Sequence, residues 1–289
     1  MQSPIRIDNG QVAVEIAALG AEMQSIMTAD GASWLWHGDA AFWGGRAPVL
    51  FPIVGKAPND QLGIDGQQYG MGQHGFARRS VFALETAGTD SCQFVLEADD
   101  TTRAVYPFEF RLSLEYRLVG AGVMVTSTVS NTGAVPMPFQ LGYHPAFAWP
   151  LPGAEGAVHE IRLSGDAAPA LQRLHGGLLA AQRQPSPFKQ GRLRLDHAQF
   201  EEDAMIFPEG CGERLVYGVE GGSRIEFSWS GLPNLALWTK PGAPFICIEP
   251  WHGTAAREGG SDDIAQRPYV MALKPGASKA FSYTAVFKR

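Results

Sequence analysis

The sequence predicts an all-β fold, a single, largely antiparallel domain with two large sheets packed face to face. Three observations carry that expectation. Apolar and polar residues alternate with period two along most of the chain, the signature of strands with one buried face. The 34 Gly and 20 Pro residues are scattered as turn punctuation and are not gathered in a linker. Helical periodicity is confined to two short candidates, GGLLAAQRQ and a turn through AAFWGG that Asp39 can cap.

The strands follow in order. QVAVEI and QFVLEA alternate near the start. In FEFRLSLEYRL, Phe108, Phe110, Leu112, Leu114, Tyr116 and Leu118 interleave with Glu109, Arg111, Ser113, Glu115 and Arg117. GAG then turns the chain into VMVTSTVSN, so the pair reads as a hairpin with Gly120 and Gly122 free to take positive φ. The stretch 150–200 is rich in loop residues, yet VHEIRLSG and GRLRLD alternate and keep it inside the domain. SRIEFSWSG and KAFSYTAVFKR complete the pattern. No repeat of fixed period and no low-complexity tract interrupts residues 1–289.

A chain of 289 residues can bury a substantial core without staples. Its 23 basic against 29 acidic residues, net −6, give no basic field for nucleic acid or an anionic membrane. Cys92, Cys211 and Cys247 are few and far apart, which reads as free thiols in a reducing compartment. No run approaches the roughly 20 apolar residues of a membrane helix, and no leader pattern opens the sequence. The expectation is a cytoplasmic protein, monomer or homodimer, with a small-molecule ligand.

Three polar islands interrupt the apolar pattern. GQHGFARRSVF carries His74, Arg78 and Arg79; PFQLGYHPAFAWPL carries His144 among aromatic residues; GAPFICIEPWHGTA carries Glu249 at the end of an apolar run. A lone histidine among aromatics is more often structural than catalytic, and a buried carboxylate is often simply paired. Together, an acid, imidazoles and a guanidinium in apolar settings form the material of general acid–base catalysis near neutrality. No G-x-S-x-G, H-E-x-x-H or phosphate-binding glycine motif is present, so neither a metal nor a cofactor is expected.

APVLFPIVGK, HGFAR, LGYHPAF, EEDAMIF, LWTKPGAPFICIEPWHGTA and LKPGAS resemble, in order, segments of the aldose 1-epimerase (galactose mutarotase-like) family, most closely its LacX-like branch. The resemblance spans nearly the whole chain. It implies a β-supersandwich and a sugar substrate, with Glu249 as catalytic base and His144 as general acid. It makes His74 a substrate contact, Asp203 the carboxylate that binds sugar hydroxyls, and Arg78 a residue that binds substrate or orients Glu249. The Trp251 indole suits the C–H face of a pyranose. Where classical members carry an Asn-Arg pair this chain reads VGKAPND, so Lys56 or Asn59 stands there instead. Two other readings stay open: a hexose-6-phosphate 1-epimerase gripping phosphate through Arg46, Lys56, Arg78 or Arg79, and a non-catalytic sugar-binding protein.

Overall fold

The computed structural model describes residues 3–289. The larger of its two main sheets has nine antiparallel strands. Their order is Arg192–Arg194, Glu160–Leu163, Arg214–Gly218, Arg224–Ser230, Ser278–Lys288, Gly122–Asn131, Phe110–Leu118, Ser91–Glu97 and Ala83–Ala87. Ser278–Lys288, late in the sequence, therefore sits in the middle and joins a half built from residues 160–230 to one built from residues 83–131.

The second sheet has eight strands. Leu178–Gln184, Leu171–His175, Met205–Phe207, Asn234–Trp238, Phe245–His252, Leu141–Tyr143 and Val49–Leu50 lie in that order, and Ala146–Ala148 also pairs with Phe245–His252. A three-stranded sheet near the start of the chain and two small ribbons complete the architecture.

Alternation in the sequence becomes alternation of faces. Phe110, Leu112, Leu114, Tyr116 and Leu118 all point into the main core. The predicted hairpin is present, with Leu118 opposite Val123, reciprocal Val119–Gly122 backbone bonds and Gly120 at φ +56. Gly122 does not need positive φ; a Cβ there would lie 2.5 Å from the Ala285 carbonyl oxygen. VHEIRLSG and GRLRLD pair with each other at the edge of the nine-stranded sheet, as strands of the same domain.

The two helix candidates fold otherwise. Leu178–Gln184, within GGLLAAQRQ, is an edge strand, because its Leu179 and Ala180 are buried against the second sheet. Asp39 does cap its neighbours, through Ala41 N–H at 2.9 Å, but the segment makes a turn that presents Trp43 and does not propagate.

Aromatic rings from the two sheets meet in the core. Phe51 lies 5.1 Å from Phe110, Phe147 5.8 Å from Phe227, and Tyr143 4.8 Å from Tyr283, between ring centroids. Tyr143 also bolts the sheets together: its hydroxyl accepts from Ser127 N–H and donates to the Phe281 carbonyl, both at 2.9 Å. No helix among the described residues is long and apolar enough to cross a membrane.

Leu112 is fully buried between the sheets, whereas Val81 is 70% exposed. Leu112→Ala should lower unfolding free energy by about 2–5 kcal/mol in urea titrations. Val81→Ala should stay within about 0.5 kcal/mol of wild type.

Candidate active site

The strand Phe245–His252 is buried on both faces, and period two sorts its side chains. Ile246 and Ile248 enter the core between the sheets; Phe245, Cys247 and Trp251 join smaller apolar clusters on the opposite face. Glu249 has the parity of that opposite face, and is 1% exposed. The apolar run before Glu249 is thus two rows of residues, of which only one leads to the carboxyl group.

The neighbouring strand is broken. Gly142 pairs with Trp251 and Ala146 with Cys247, so the same register extended across the gap sets His144 opposite Glu249. Cross-strand residues on one face come close enough to interact directly. His144 Nε2 lies 3.2 Å from Glu249 Oε2, in a contact whose angles are not those of a hydrogen bond, so Oε2 has no partner. Pro250 fits this strand because of the break. Its nitrogen shares the side of the Ile248 N–H, which donates to Pro145 O at 3.1 Å, and ladder pairing has already ended at Gly142. Gly142 makes room for the indole, since a Cβ there would lie 2.4 Å from Trp251 Cδ1.

His74 arrives from a different element. It sits in a turn at φ +67, followed by Gly75 at φ +71, where a Cβ would lie 2.2 Å from the Phe51 carbonyl oxygen. Gly55 N–H donates to His74 Nδ1 at 3.0 Å, so the neutral ring carries its proton on Nε2. Burial, then the charges of His144, Arg78 and Arg267, hold this imidazole neutral, well below its usual pKa. Arg267 closes the wall behind it. This guanidinium is 3% exposed and donates to Gln140 Oε1 and to the carbonyls of Lys56, Val54 and Thr254 at 2.7–3.3 Å.

Burial dominates the central pair. It pushes the Glu249 carboxyl well above its usual range, with the charge of Asp203 adding to the shift. It also pulls the His144 imidazole down to about 3. His144 is packed among rings: Trp43 stacks on it at 4.8 Å, with Trp238 and His74 edge-on at 5.8 and 5.7 Å. Burial disfavours charge on either group, so over a broad pH range the pair carries one proton, resting on the Glu249 carboxyl beside a neutral imidazole.

Glu249, His144, His74, Arg78, Asp203 and Trp251 line one cavity of about 370 Å³. Four buried polar atoms of its wall have no partner: Glu249 Oε2, His144 Nδ1, Arg78 Nε and Trp251 Nε1. Lys56 is not part of this wall. Its ammonium group faces Asp60 at 4.0 Å, while its carbonyl is held by Ala256 N–H and Arg267. Asn59 lies in the exposed turn Pro58–Asp60 at φ +53. Arg46 is committed elsewhere, its guanidinium donating to His37 O, Gln24 O and Gln24 Oε1, and Arg79 is exposed. Of the four cations named for a phosphate, only Arg78 reaches the cavity.

Trp43 and Trp238 are wall residues that the sequence reading missed. Trp238 shares the period-two row of Ala236, and that signal was available; Trp43 is delivered by a turn with no periodicity. His144, Cys247 and Glu249 place one potential metal-ligand atom each within 4.8 Å of one another.

Known proteins resemble this chain along nearly its whole length. Residues 3–281 match the family model described as aldose 1-epimerase. Protein LacX (plasmid) of Lactococcus lactis subsp. lactis is 29% identical over 293 residues, covering 96% of this chain and 97% of that protein. A galactose mutarotase related enzyme from Lactobacillus acidophilus superposes with TM-score 0.92 at 28% identity, over 99% of this chain and 97% of the other. A galactose mutarotase-like protein from Lactobacillus casei gives 0.90 at 28%, over 99% and 100%.

The buried pair makes stability depend on pH in opposite senses. Glu249 has a folded pKa above its unfolded value, so its contribution is most favourable at low pH and is lost as pH rises from the ordinary carboxyl range through the folded pKa. His144, depressed to about 3, costs stability as pH falls below the ordinary histidine pKa. Glu249→Gln should therefore be more stable than wild type at pH 8, by about 1–3 kcal/mol for one buried unpaired group. The difference should shrink towards pH 4, as read by denaturant unfolding at both values.

Proposed function

The chain belongs to the aldose 1-epimerase family, and on that footing we propose that it interconverts the α- and β-anomers of a free hexose or related aldose. The observation that carries this reading is the Glu249–His144 contact of 3.2 Å inside a cavity walled by indoles. Anomerisation moves one proton off the C1 hydroxyl and puts one on the ring oxygen. Both oxygens are bonded to C1, so a base and an acid must stand side by side, and no cofactor is needed.

Burial rests the pair's single proton on Glu249. From the tautomer in which it has passed to His144, Glu249 takes the proton from the anomeric hydroxyl while His144 protonates O5 and the C1–O5 bond opens. Rotation about C1–C2 turns the aldehyde, and reclosure runs with the two roles exchanged. One proton suffices for the cycle, and burial of both groups favours that count, with the proton resting on Glu249 between turnovers. His74, neutral with its proton on Nε2, donates to a sugar oxygen, Asp203 accepts from hydroxyls, and the Trp251 face receives ring C–H groups. A phosphorylated substrate would rest on Arg78 alone among the cations named for it, and competition by glucose 6-phosphate tests that reading.

Polarimetry or exchange NMR on freshly dissolved α-glucose and α-galactose should show interconversion well above the buffer rate. No acceleration with any aldose or sugar phosphate would overturn the proposal. Glu249→Gln and His144→Asn should each lose roughly 10²–10⁴-fold, the usual contribution of acid–base assistance.

The buffer-corrected pH profile should be a broad plateau. Its acid limb, entry of a second proton, should lie below the usual histidine pKa, because His144 is lowered to about 3. Its alkaline limb, loss of the single proton, should lie above the usual carboxyl range. A rate that falls as pH drops through 6.5 would contradict this assignment of the proton.

A further inference from the structure

Arg173 lies outside the cavity and outside every motif of the sequence reading, yet it is almost fully enclosed, at 9% exposure. It sits in Leu171–His175 where the pairing with Leu178–Gln184 shifts register between Gln172 and Leu174. Register shifts of this kind recur near functional sites, where they re-aim side chains. Here the guanidinium is aimed at one loop. Nη1 donates to the Asp203 carbonyl at 2.9 Å and Nη2 to the Gln199 carbonyl at 2.8 Å. Nε is buried without a hydrogen bond, 3.9 Å from the Glu202 carboxylate.

The loop so held is strained. Asp203 has φ +67, a left-handed conformation that costs a non-glycine residue about 1–3 kcal/mol unless its surroundings fix it. Within the loop only the Asp203 N–H bond to Phe200 O, at 3.1 Å, braces that residue. Past Asp203 the chain enters Met205–Phe207, and Ala204 and Ile206 line the cavity. The direction of the Asp203 carboxylate is therefore set by a backbone conformation whose carbonyl Arg173 grips.

We propose that Arg173 is a positioning residue: it holds the Asp203 turn in its left-handed form and so fixes where the Asp203 carboxylate meets the vicinal hydroxyls of a polyol ligand. The inference rests on the sugar-epimerase reading for its ligand, and on this structure alone for its mechanics. Arg173 touches neither the ligand nor the acid–base pair. Its loss moves Asp203, weakens binding more than turnover, and relieves the repulsion between Asp203 and Glu249.

The test compares wild type, Arg173→Met, Arg173→Lys, Asp203→Asn and the Arg173→Met/Asp203→Asn double variant. Arg173→Met should raise KM roughly tenfold, about the worth of one hydrogen bond to a charged group. It should leave kcat within a few-fold and move the alkaline limb of the pH profile to lower pH. Asp203→Asn should show the same pattern, and the double variant should be no worse than Asp203→Asn alone. Should Arg173→Met fail to fold, Arg173→Lys carries the same readouts with a smaller KM change.

An unchanged KM and alkaline limb in Arg173→Met, or additive losses in the double variant, would overturn the proposal. A crystal structure of whichever Arg173 variant folds separates this idea from the functional one. If residue 203 keeps positive φ with its carboxylate in the cavity, the positioning role fails whatever the enzyme does. If wild type shows no epimerisation while the variant's turn relaxes, the functional reading fails and the positioning role stands.

Discussion

A carboxyl group buried inside a sheet that is covered on both faces is the constraint to which the cavity answers. Glu249 is 1% exposed and meets solvent only through the cavity it lines, so its surroundings set its proton affinity. The break in the adjacent strand brings His144 opposite Glu249 without a ladder pairing between the two, while Glu249 keeps its pairing with Ala236 on the other side. Pro250 sits at the same break and offers no N–H that the missing pairing would leave unsatisfied. Tyr143, one residue before His144, is tied to the other sheet through Ser127 and Phe281. The imidazole is thus anchored by the core although it belongs to an interruption.

A second layer of control is carried by Arg267. It is a buried cation with carbonyl and amide oxygens as its recorded partners, which clamp Val54 and Lys56 to Thr254. That clamp keeps Gly55 against Ala255, where a Cβ on Gly55 would lie 2.6 Å from Ala255 Cα. Gly55 in turn fixes the tautomer of His74. Geometry and charge act in one direction here, because the same guanidinium that seats the loop also disfavours protonation of His74.

The sheets were legible in the sequence because strands with one buried face alternate, as in 108–118 and 123–131. GGLLAAQRQ was misread because Leu and Ala favour helix locally, and only packing against the second sheet makes the segment a strand. Glu249, His144, His74, Arg78, Asp203 and Trp251 were legible through motif resemblance, and the structure gathers them around one cavity. Lys56 was not, since its neighbour in space is the Asp60 carboxylate four residues on. For Trp43 the capped turn was legible in AAFWGG, but not that it presents the indole to the cavity. Arg173 depends on a register shift that no single window of residues shows.

The central place of Ser278–Lys288 in the nine-stranded sheet bears on how the molecule is made. During synthesis, the half-sheets from residues 83–131 and 160–230 can form early, each with an open edge beside Gly122–Asn131 or Arg224–Ser230. Those edges find their shared partner only when residues 278–288 emerge. Unpaired strands of this kind are prone to join other chains. Until that strand docks, Phe281, whose carbonyl takes the Tyr143 hydroxyl, is not in place. The interval before docking is thus a window of aggregation risk for the nascent chain, and it closes as the last anchor beside His144 is set.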